Sequence, residues 1–338
     1  MNTVLQRYQD NFPRHVLAIT RQLESRIMES LVETHQHSGL RLSFEPYISL
    51  TADGGRRLSS IAENLGITRQ AANAVVNELE SLGYVRRAPD PEDGRAKQVA
   101  LTAAGEKLRA DGLKVAARLE AEYADYLGAS RFEECRQALI AVVSRLPGIP
   151  PGVQAGMSAS VPQARFTSLL PRLSDYMNRR LMVLTEARGH PGLKLSYAQV
   201  LTLIGKDGGR MQVMANAHKV SKQAINVVAS ELQALGYIER RTDRKDGRQV
   251  LLHFTPAGLE MIADAVAAID ALEAELVSPD SPAALPTLQL CMRKLYTHLQ
   301  PEPHLNTGEL HDLATSLIAR LGADRASRLG ELLMNPAH

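Results

Sequence analysis

The sequence contains no tryptophan, and aromatic residues make up only 4% of its 338 positions. Hydrophobic residues account for 44% and charged residues for 22%, a balance typical of a globular protein with an aliphatic core. Because strand-forming aromatic residues are scarce, this composition favours a mainly helical fold over an all-β one. The length predicts two domains, or two domains and an extension.

The sequence also lacks a long apolar run, and its first residues lack the apolar core of a secretory signal. Its two cysteines, Cys135 and Cys291, are too few for a disulfide framework or a cysteine-rich zinc site. We therefore expect a protein of the cytoplasm with no membrane partner. Both cysteines are expected to be ordinary thiols, and oxidant sensing by one of them is the alternative.

No arrangement of residues typical of a catalytic site is present. We find no Ser/His/Asp set, no paired carboxylates and no glycine-rich phosphate loop after a plausible strand. His35 and His37 could hold a metal ion, but no third ligand follows at helical spacing. The sequence thus predicts no enzyme, no cofactor and no metal site.

The most informative feature is an internal repeat with a constant offset of 153 residues. Residues 68–105 align with residues 221–258, and 17 of these 38 positions are identical. Residues between the copies are rich in Pro, Gly and Ser, as in a solvated linker. We predict a first domain at 1–146, a linker at 147–163, a second domain at 164–300 and a C-terminal helical extension at 301–338. The extension is expected to pack on the helical bundle, with a chain-to-chain contact as the alternative.

Each copy predicts two short helices, a β-hairpin and a long helix. In the first copy, Thr68 can cap the second helix and Gly83 can end it. The expected core residues of that helix are Ala71, Val75, Leu79 and Leu82. Asp93-Gly94 lies between two short extended segments, which indicates a hairpin, and Thr102 can cap the long helix that follows. This order of elements is that of a winged helix-turn-helix.

The segment DPEDGRAKQVALTAAG resembles the wing motif of the MarR family of bacterial transcription regulators, D-x-R followed by L-T-x-x-G. The preceding segment, ITRQAANAVVNELESLGYV, is similar to the recognition helix of that family. The second copy keeps Asp246, Gly247, Arg248, Thr255 and Gly258. The resemblance covers residues 43–105 and 196–258, called here the first and the second winged helix. Outside these segments, only the length and amphipathicity of the helices match.

Family members dimerise through their terminal helices, so this chain resembles two protomers fused into one. The resemblance implies a mainly α fold with two small β-hairpin wings. Two winged helix-turn-helix domains would share a helical bundle about a pseudo-two-fold axis. The terminal helices of the two copies would then pack on each other within one chain. A homodimer carrying four winged helices is the alternative.

The resemblance implies a transcription regulator that binds double-stranded operator DNA in a sequence-specific way, most often as a repressor. It also implies a small effector, often aromatic or anionic, although no residue here identifies one. The alternative is a protein-interaction scaffold, because winged helices also serve as docking modules without reading bases.

Polar side chains recur at the same positions of both recognition helices. Glutamine and asparagine can present a donor and an acceptor to adenine, while arginine and lysine suit guanine or phosphate. An arginine at the tip of a wing is placed to enter the minor groove. The predicted DNA-binding residues are Thr68, Arg69, Gln70, Asn73, Asn77, Arg95 and Lys97 in the first copy and Ser221, Lys222, Gln223, Asn226, Ser230, Arg244, Lys245 and Arg248 in the second. The resemblance adds Asp93 and Asp246, which would orient the wing arginines.

The two winged helices differ in charge. Residues 56–95 contain six basic and six acidic residues, whereas residues 210–248 contain eight basic and four acidic ones. Because phosphate neutralisation supplies most non-specific affinity, we expect the second winged helix to bind DNA more strongly than the first.

Overall fold

The structure is a computed structural model that describes residues 2–52, 54–90, 96–147, 165–194, 196–218, 220–243 and 249–300. It is mainly helical with two small three-stranded antiparallel sheets, which confirms the predicted fold class. The described residues form two compact bodies. The first body contains residues 11–181 and 269–299, and the second contains residues 2–10, 182–268 and 300.

After α1, the described elements of the first half recur in the same order in the second half. The first half contains α1 (Asn2–Gln9), α2 (Phe12–Glu29), α3 (Glu45–Leu50), β1 (Arg56–Arg57), α4 (Leu58–Leu65), α5 (Arg69–Ser81), β2 (Val85–Pro89), β3 (Lys97–Leu101), α6 (Ala103–Leu127) and α7 (Ala129–Val143). The second half contains α8 (Phe166–Glu186), α9 (Tyr197–Leu201), β4 (Gly209–Arg210), α10 (Met211–His218), α11 (Lys222–Ala234), β5 (Ile238–Thr242), β6 (Val250–Phe254), α12 (Pro256–Leu276) and α13 (Ala284–Leu299). The strand orders are β1-β3-β2 and β4-β6-β5.

Local signals position the recognition helix α5 as predicted. The Thr68 hydroxyl accepts a hydrogen bond from the Ala71 backbone N–H at 3.1 Å and so caps the helix. Gly83, with a φ of 78°, takes the left-handed conformation that ends it. The Thr102 hydroxyl accepts from the Gly105 N–H at 3.1 Å and caps α6 in the same way.

The predicted core face of α5 is confirmed at Leu79 but is wrong by one residue in the two preceding turns. Ala72, Val76 and Leu79 are the buried positions, whereas Ala71 is exposed and Val75 is only half-buried. Leu82 is also half-buried. The error arises because apolar residues occupy adjacent positions in two successive turns, so helical periodicity fits either phase. The second copy buries the equivalent residues Ile225, Ala229 and Leu232 of α11.

Helices of the two copies pack together in the first body. Helix α13, from the second copy, packs against both α7 and α2 of the first, which confirms the expected contact between terminal helices. Cys135 on α7 and Cys291 on α13 are both free and buried in this region. A hydrogen bond with the Cys291 thiol, together with burial, raises the pKa of Cys135 above its usual range.

The second body includes a helix from the opposite end of the chain. Val4, Leu5 and Tyr8 of α1 pack on the core of the second winged helix. The Gln9 amide donates a hydrogen bond to the Thr202 carbonyl oxygen at 3.0 Å. The predicted boundaries at 146 and 164 divide sequence copies, and α1 packs outside its own copy. Local sequence patterns do not reveal that α1 packs on the second copy, because this packing depends on contacts between residues about 200 positions apart.

Two of the predicted segments lie outside the described residues. These are most of the linker, residues 148–163, and the extension, residues 301–338. Both assignments stay predictions. Among the residues that are described, none of the helices combines the length and apolarity that crossing a membrane requires.

Candidate nucleic-acid interface

The two recognition helices expose most of the predicted base-contacting side chains. Thr68, Arg69, Gln70 and Asn77 are exposed, and Asn73 is half-buried. In α11 the corresponding residues, Ser221, Lys222, Gln223, Asn226 and Ser230, are all exposed. The Ser221 hydroxyl accepts from the Ala224 N–H at 3.1 Å, so it caps α11 as Thr68 caps α5. The predicted polar faces are therefore present, and they extend over the first nine residues of both thirteen-residue helices.

An arginine that was not predicted joins the recognition helix to the wing in the first copy. The Arg87 Nη2 on β2 donates to the Asn73 Oδ1 at 3.0 Å and to the Asn77 Oδ1 at 2.6 Å. Its Nη1 pairs with the Glu80 carboxylate, which also accepts from the Arg87 backbone N–H at 3.1 Å. One guanidinium thus contacts three residues along one side of α5.

The second copy repeats this arrangement with different partners. The Arg240 Nη2 donates to the Asn226 Oδ1 and to the Ser230 hydroxyl, both at 3.0 Å. Its Nη1 donates to the Gln233 Oε1 at 2.8 Å. The recurrence of Arg87 and Arg240 at the 153-residue offset was the sequence signal that could have identified them.

These contacts orient the asparagine amides. The oxygens of Asn73, Asn77 and Asn226 face an arginine, which turns each Nδ2 amine to the other side of the planar amide. The Ser230 hydroxyl accepts from Arg240 and donates to the Asn226 carbonyl oxygen at 2.8 Å. In this arrangement the asparagines present hydrogen-bond donors, whereas the predicted contact with adenine uses a donor and an acceptor.

An ion pair links the first strand of each sheet to the residue that follows the second strand, at the start of the wing. Arg57 on β1 pairs with the buried Asp90 at the end of β2, and the Asp90 N–H donates to the Ala96 carbonyl at 3.0 Å. In the second copy, the Arg210 Nη2 lies 2.9 Å from the Asp243 carboxylate. Lys97 is exposed at the start of β3. The predicted wing residues Asp93, Arg95, Arg244, Lys245, Asp246 and Arg248 lie outside the described residues.

A His–Asp contact joins the segment before each winged helix to the long helix that follows that winged helix. The His37 Nε2 lies 3.1 Å from the buried Asp111 carboxylate of α6, and the His35 Nδ1 lies 3.4 Å from the same group. In the second copy, the His190 Nε2 lies 2.9 Å from Asp264 of α12. Among the described residues, no group of three side chains is arranged to hold a metal ion. The two candidate metal ligands instead contact Asp111.

Replacing Asp111 with asparagine is expected to lower the free energy of unfolding by about 1–3 kcal/mol at pH 7. Hydrogen bonds from Lys107, and then from His37 and Lys114, hold the pKa of Asp111 well below its usual range despite burial. The charged carboxylate therefore stabilises the fold above its unfolded-state pKa of about 4, and this stabilisation is lost as the pH falls towards the folded value.

Urea denaturation at several pH values tests this expectation. The difference between the native chain and the Asp111→Asn variant should be present at pH 7 and shrink below about pH 4. Asp264→Asn is the matched control: its carboxylate makes the same histidine contact, but its side chain is 42% exposed, so we expect a loss below about 1 kcal/mol. Equal losses of unfolding free energy in the two variants would contradict the claim that the buried Asp111 stabilises the fold more than the more exposed Asp264.

Comparisons with known proteins agree with the repeat. Residues 49–96 and 192–249 each match the model of the MarR family. No curated protein matches the chain significantly. Similar solved structures include CouR from Rhodococcus jostii RHA1 bound to p-coumaroyl-CoA, 24% identical, covering 34% of this chain and 80% of its own with a TM-score of 0.29.

Two further similar solved structures are matched over almost their whole length. A MarR-family transcriptional regulator from Rhodococcus sp. RHA1 is 18% identical and covers 40% of this chain and 96% of its own, with a TM-score of 0.34. A mutant of MepR from S. aureus, bound to an oligodeoxyribonucleotide, is 18% identical to this chain. It covers 40% of this chain and 97% of its own, with a TM-score of 0.30. Each of them spans less than half of this chain.

Proposed function

Because the chain is a tandem member of the MarR family, we propose that it binds double-stranded DNA through both winged helices and regulates transcription. The observation that carries the proposal is the pair of exposed polar faces on α5 and α11. Their residues recur at an offset of 153 and include Gln70 and Gln223 at identical positions. The recurrence of exposed polar residues at the same positions of both helices favours a shared binding role over solvation alone.

The recognition helices would lie in the major groove with their N-terminal halves towards the bases. Gln70 and Gln223 are exposed in the first turn, where a side-chain amide can contact base edges. Arg69 and Lys222 precede them and supply positive charge for guanine or phosphate. The N-termini of α5 and α11 add favourable partial charge for a phosphate near Thr68 and Ser221.

The wings would contact the DNA beside the recognition helices. We propose that Arg95 and Arg248 enter the minor groove, where narrow A·T-rich segments attract arginine. Asp93 and Asp246 would orient these arginines. Lys97, Arg244 and Lys245 would contact phosphates and so contribute affinity without base preference.

We propose that one chain occupies two adjacent half-sites. A homodimer presents the same residues to both half-sites, so its operator is a palindrome with centres about 10 bp apart or a multiple of that spacing. The two winged helices of this chain differ at Arg69 against Lys222 and at Asn77 against Ser230. The operator should therefore contain two related but non-identical half-sites.

Two finer parts of the proposal come from the family resemblance. The chain would act as a repressor, and a small aromatic or anionic effector would change its affinity for DNA. The protein would then be found with the bacterial chromosome in the cytoplasm. A protein-interaction scaffold is the competing function, and the equal numbers of basic and acidic residues in 56–95 favour it for the first winged helix.

Selection of duplexes from a random library by the full-length chain tests the proposal, with the salt concentration stated. We expect one enriched sequence, called here the selected duplex, and a weaker, strongly salt-dependent affinity for random duplexes. Equal affinity for the enriched and the starting library would contradict sequence-specific binding. If the chain binds no duplex even at low salt, the result would favour the protein-interaction scaffold.

Base contacts and phosphate contacts should be separable by two substitutions. We expect Gln70→Ala to relax the preference at one or two base pairs of the selected duplex, at about 1–3 kcal/mol. Lys222→Ala should lower affinity for every sequence and flatten the log–log dependence of affinity on salt by about one unit. Competition assays with mutated duplexes measure both effects. Equal losses on selected and random duplexes from both variants would overturn the base-reading role of Gln70.

A further inference from the structure

The two winged helices place an arginine at the same position but give it partners of different charge. The Arg87 guanidinium pairs with the Glu80 carboxylate. Arg240 has uncharged partners among the described residues, and Gln233 takes the place of Glu80. The two positions are related by the offset of 153, so they are equivalent in the repeat.

The guanidinium lies beside the surface that would face DNA. Arg87 contacts both Asn73 and Asn77, and Arg240 contacts Asn226 and Ser230, which are predicted DNA-binding residues. Both arginines are only partly buried, so their charge acts on the space next to the recognition helix. A nearby phosphate would therefore interact with this charge as well as with Arg69 or Lys222.

We propose that the residue at position 80, or at position 233 in the second copy, determines how strongly its winged helix binds DNA. An acidic residue there neutralises the charge of the neighbouring arginine, whereas an uncharged residue leaves that charge uncompensated. The proposal rests on the DNA-binding function argued above. Glu80 cancels the charge of Arg87, so the first winged helix gains little phosphate affinity from this arginine. Gln233 keeps the same hydrogen bond but leaves the charge of Arg240 available to phosphate.

The hydrogen bonds also assign a positioning role to both arginines, which is independent of their charge. Each one donates to an asparagine oxygen and so leaves the amide amine to contact a base. The amine of Asn73, Asn77 or Asn226 then donates to an acceptor such as guanine O6 or N7, or thymine O4. The first winged helix presents two such amines, and the second presents one, because Ser230 stands in the place of Asn77.

Reciprocal substitutions in the full-length chain test the charge assignment, with the selected duplex as the probe. Glu80→Gln should raise affinity about threefold or more and steepen its salt dependence by up to about one unit. Gln233→Glu should do the opposite. Both side chains can accept the arginine hydrogen bond, as the two copies of the native chain already show. Opposite directions cannot arise from misfolding, which would lower affinity in both variants.

Two further variants complete the experiment. Asp125→Asn removes one negative charge from an exposed position of α6, and it should leave affinity and salt dependence unchanged. Arg87→Ala should weaken base preference with little change in salt dependence, whereas Arg240→Ala should flatten that dependence by about one unit.

The possible failures are distinguishable. If Lys222→Ala lowers affinity while both swaps at positions 80 and 233 change it less than twofold, this inference is overturned and DNA binding stands. If no duplex is selected and Lys222→Ala has no effect, the proposed function itself fails. An equal response to Glu80→Gln and to Asp125→Asn would mean that net charge alone, and not the contact with Arg87, sets affinity.

Discussion

Replacing Gly105 with alanine is expected to lower the free energy of unfolding of the first body by about 2–4 kcal/mol. A Cβ atom at Gly105 would overlap the Tyr84 carbonyl oxygen. That oxygen cannot move freely, because it accepts from the Thr102 N–H at 3.0 Å, at the capped end of α6. The glycine of the L-T-x-x-G motif is thus needed for close packing of α6 on the chain that follows α5.

Gly112→Ala is the matched control for this prediction. Gly112 lies in the same helix, and an added Cβ would meet no atom within 4 Å. This variant should be more stable than the native chain by about 0.5–1 kcal/mol, because alanine favours the helical conformation. Chemical denaturation measures both effects. A Gly105→Ala variant as stable as the native chain would contradict the packing, and Gly258→Ala should repeat the loss in the second body, where the Cβ would overlap the Tyr237 carbonyl oxygen.

Disabling one winged helix is expected to lower affinity for the selected duplex by about 100-fold to 10,000-fold. When two DNA-binding modules belong to one chain, binding of the first raises the effective concentration of the second, and this gain disappears if either module fails. The double variant Lys222→Glu with Gln223→Ala removes the exposed charge and the predicted base contact from the first turn of α11. Arg69→Glu with Gln70→Ala does the same for α5.

Fluorescence anisotropy at a stated salt concentration measures this loss. Arg131→Glu, a charge reversal at an exposed position of α7, is the control and should leave affinity within about threefold of the native value. We expect the α11 variant to lose more than the α5 variant, since the second winged helix is the more basic. A loss below tenfold from both double variants would contradict simultaneous engagement of two half-sites.

The parts of the fold that the sequence predicted are those encoded by neighbouring residues. Thr68 and Ser221 cap their helices, and Gly83 ends α5, because caps and left-handed ends depend on a few consecutive positions. The repeat strengthened each of these assignments, because the same signal occurs at the equivalent position of both copies. The strands β1 and β4 were missed because two residues are too short to show alternation.

The errors arise where a choice depends on contacts far along the chain. The core face of α5 was misplaced because Ala71 and Ala72 are both apolar, and only tertiary packing selects Ala72. His37 was considered as a metal ligand because its partner Asp111 lies 74 residues away. Arg87 was missed because its contacts cross from β2 to α5, which no helical or strand period reveals.

The sequence predicted which positions of the two recognition helices are polar, but not how their amides are oriented. That these residues bind DNA stays a prediction. The polar positions of α5 and α11 are exposed as expected, but the direction of the Asn73 and Asn226 amides depends on Arg87 and Arg240. Side-chain orientation changes which base an amide can read, because donor and acceptor lie at opposite ends of it. Comparison of the two copies at each offset position is the sequence signal that could have identified these arginines.

The stoichiometry of the complex with the selected duplex tests the central claim most directly. Light scattering of the purified complex should give the mass of one 36.9 kDa chain and one duplex. Footprinting of the same complex should protect two adjacent, non-identical half-sites with centres about 10 bp apart or a multiple of that spacing. A complex of two chains on a strictly palindromic site, with a footprint much longer than two half-sites, would contradict the claim that one chain reads both.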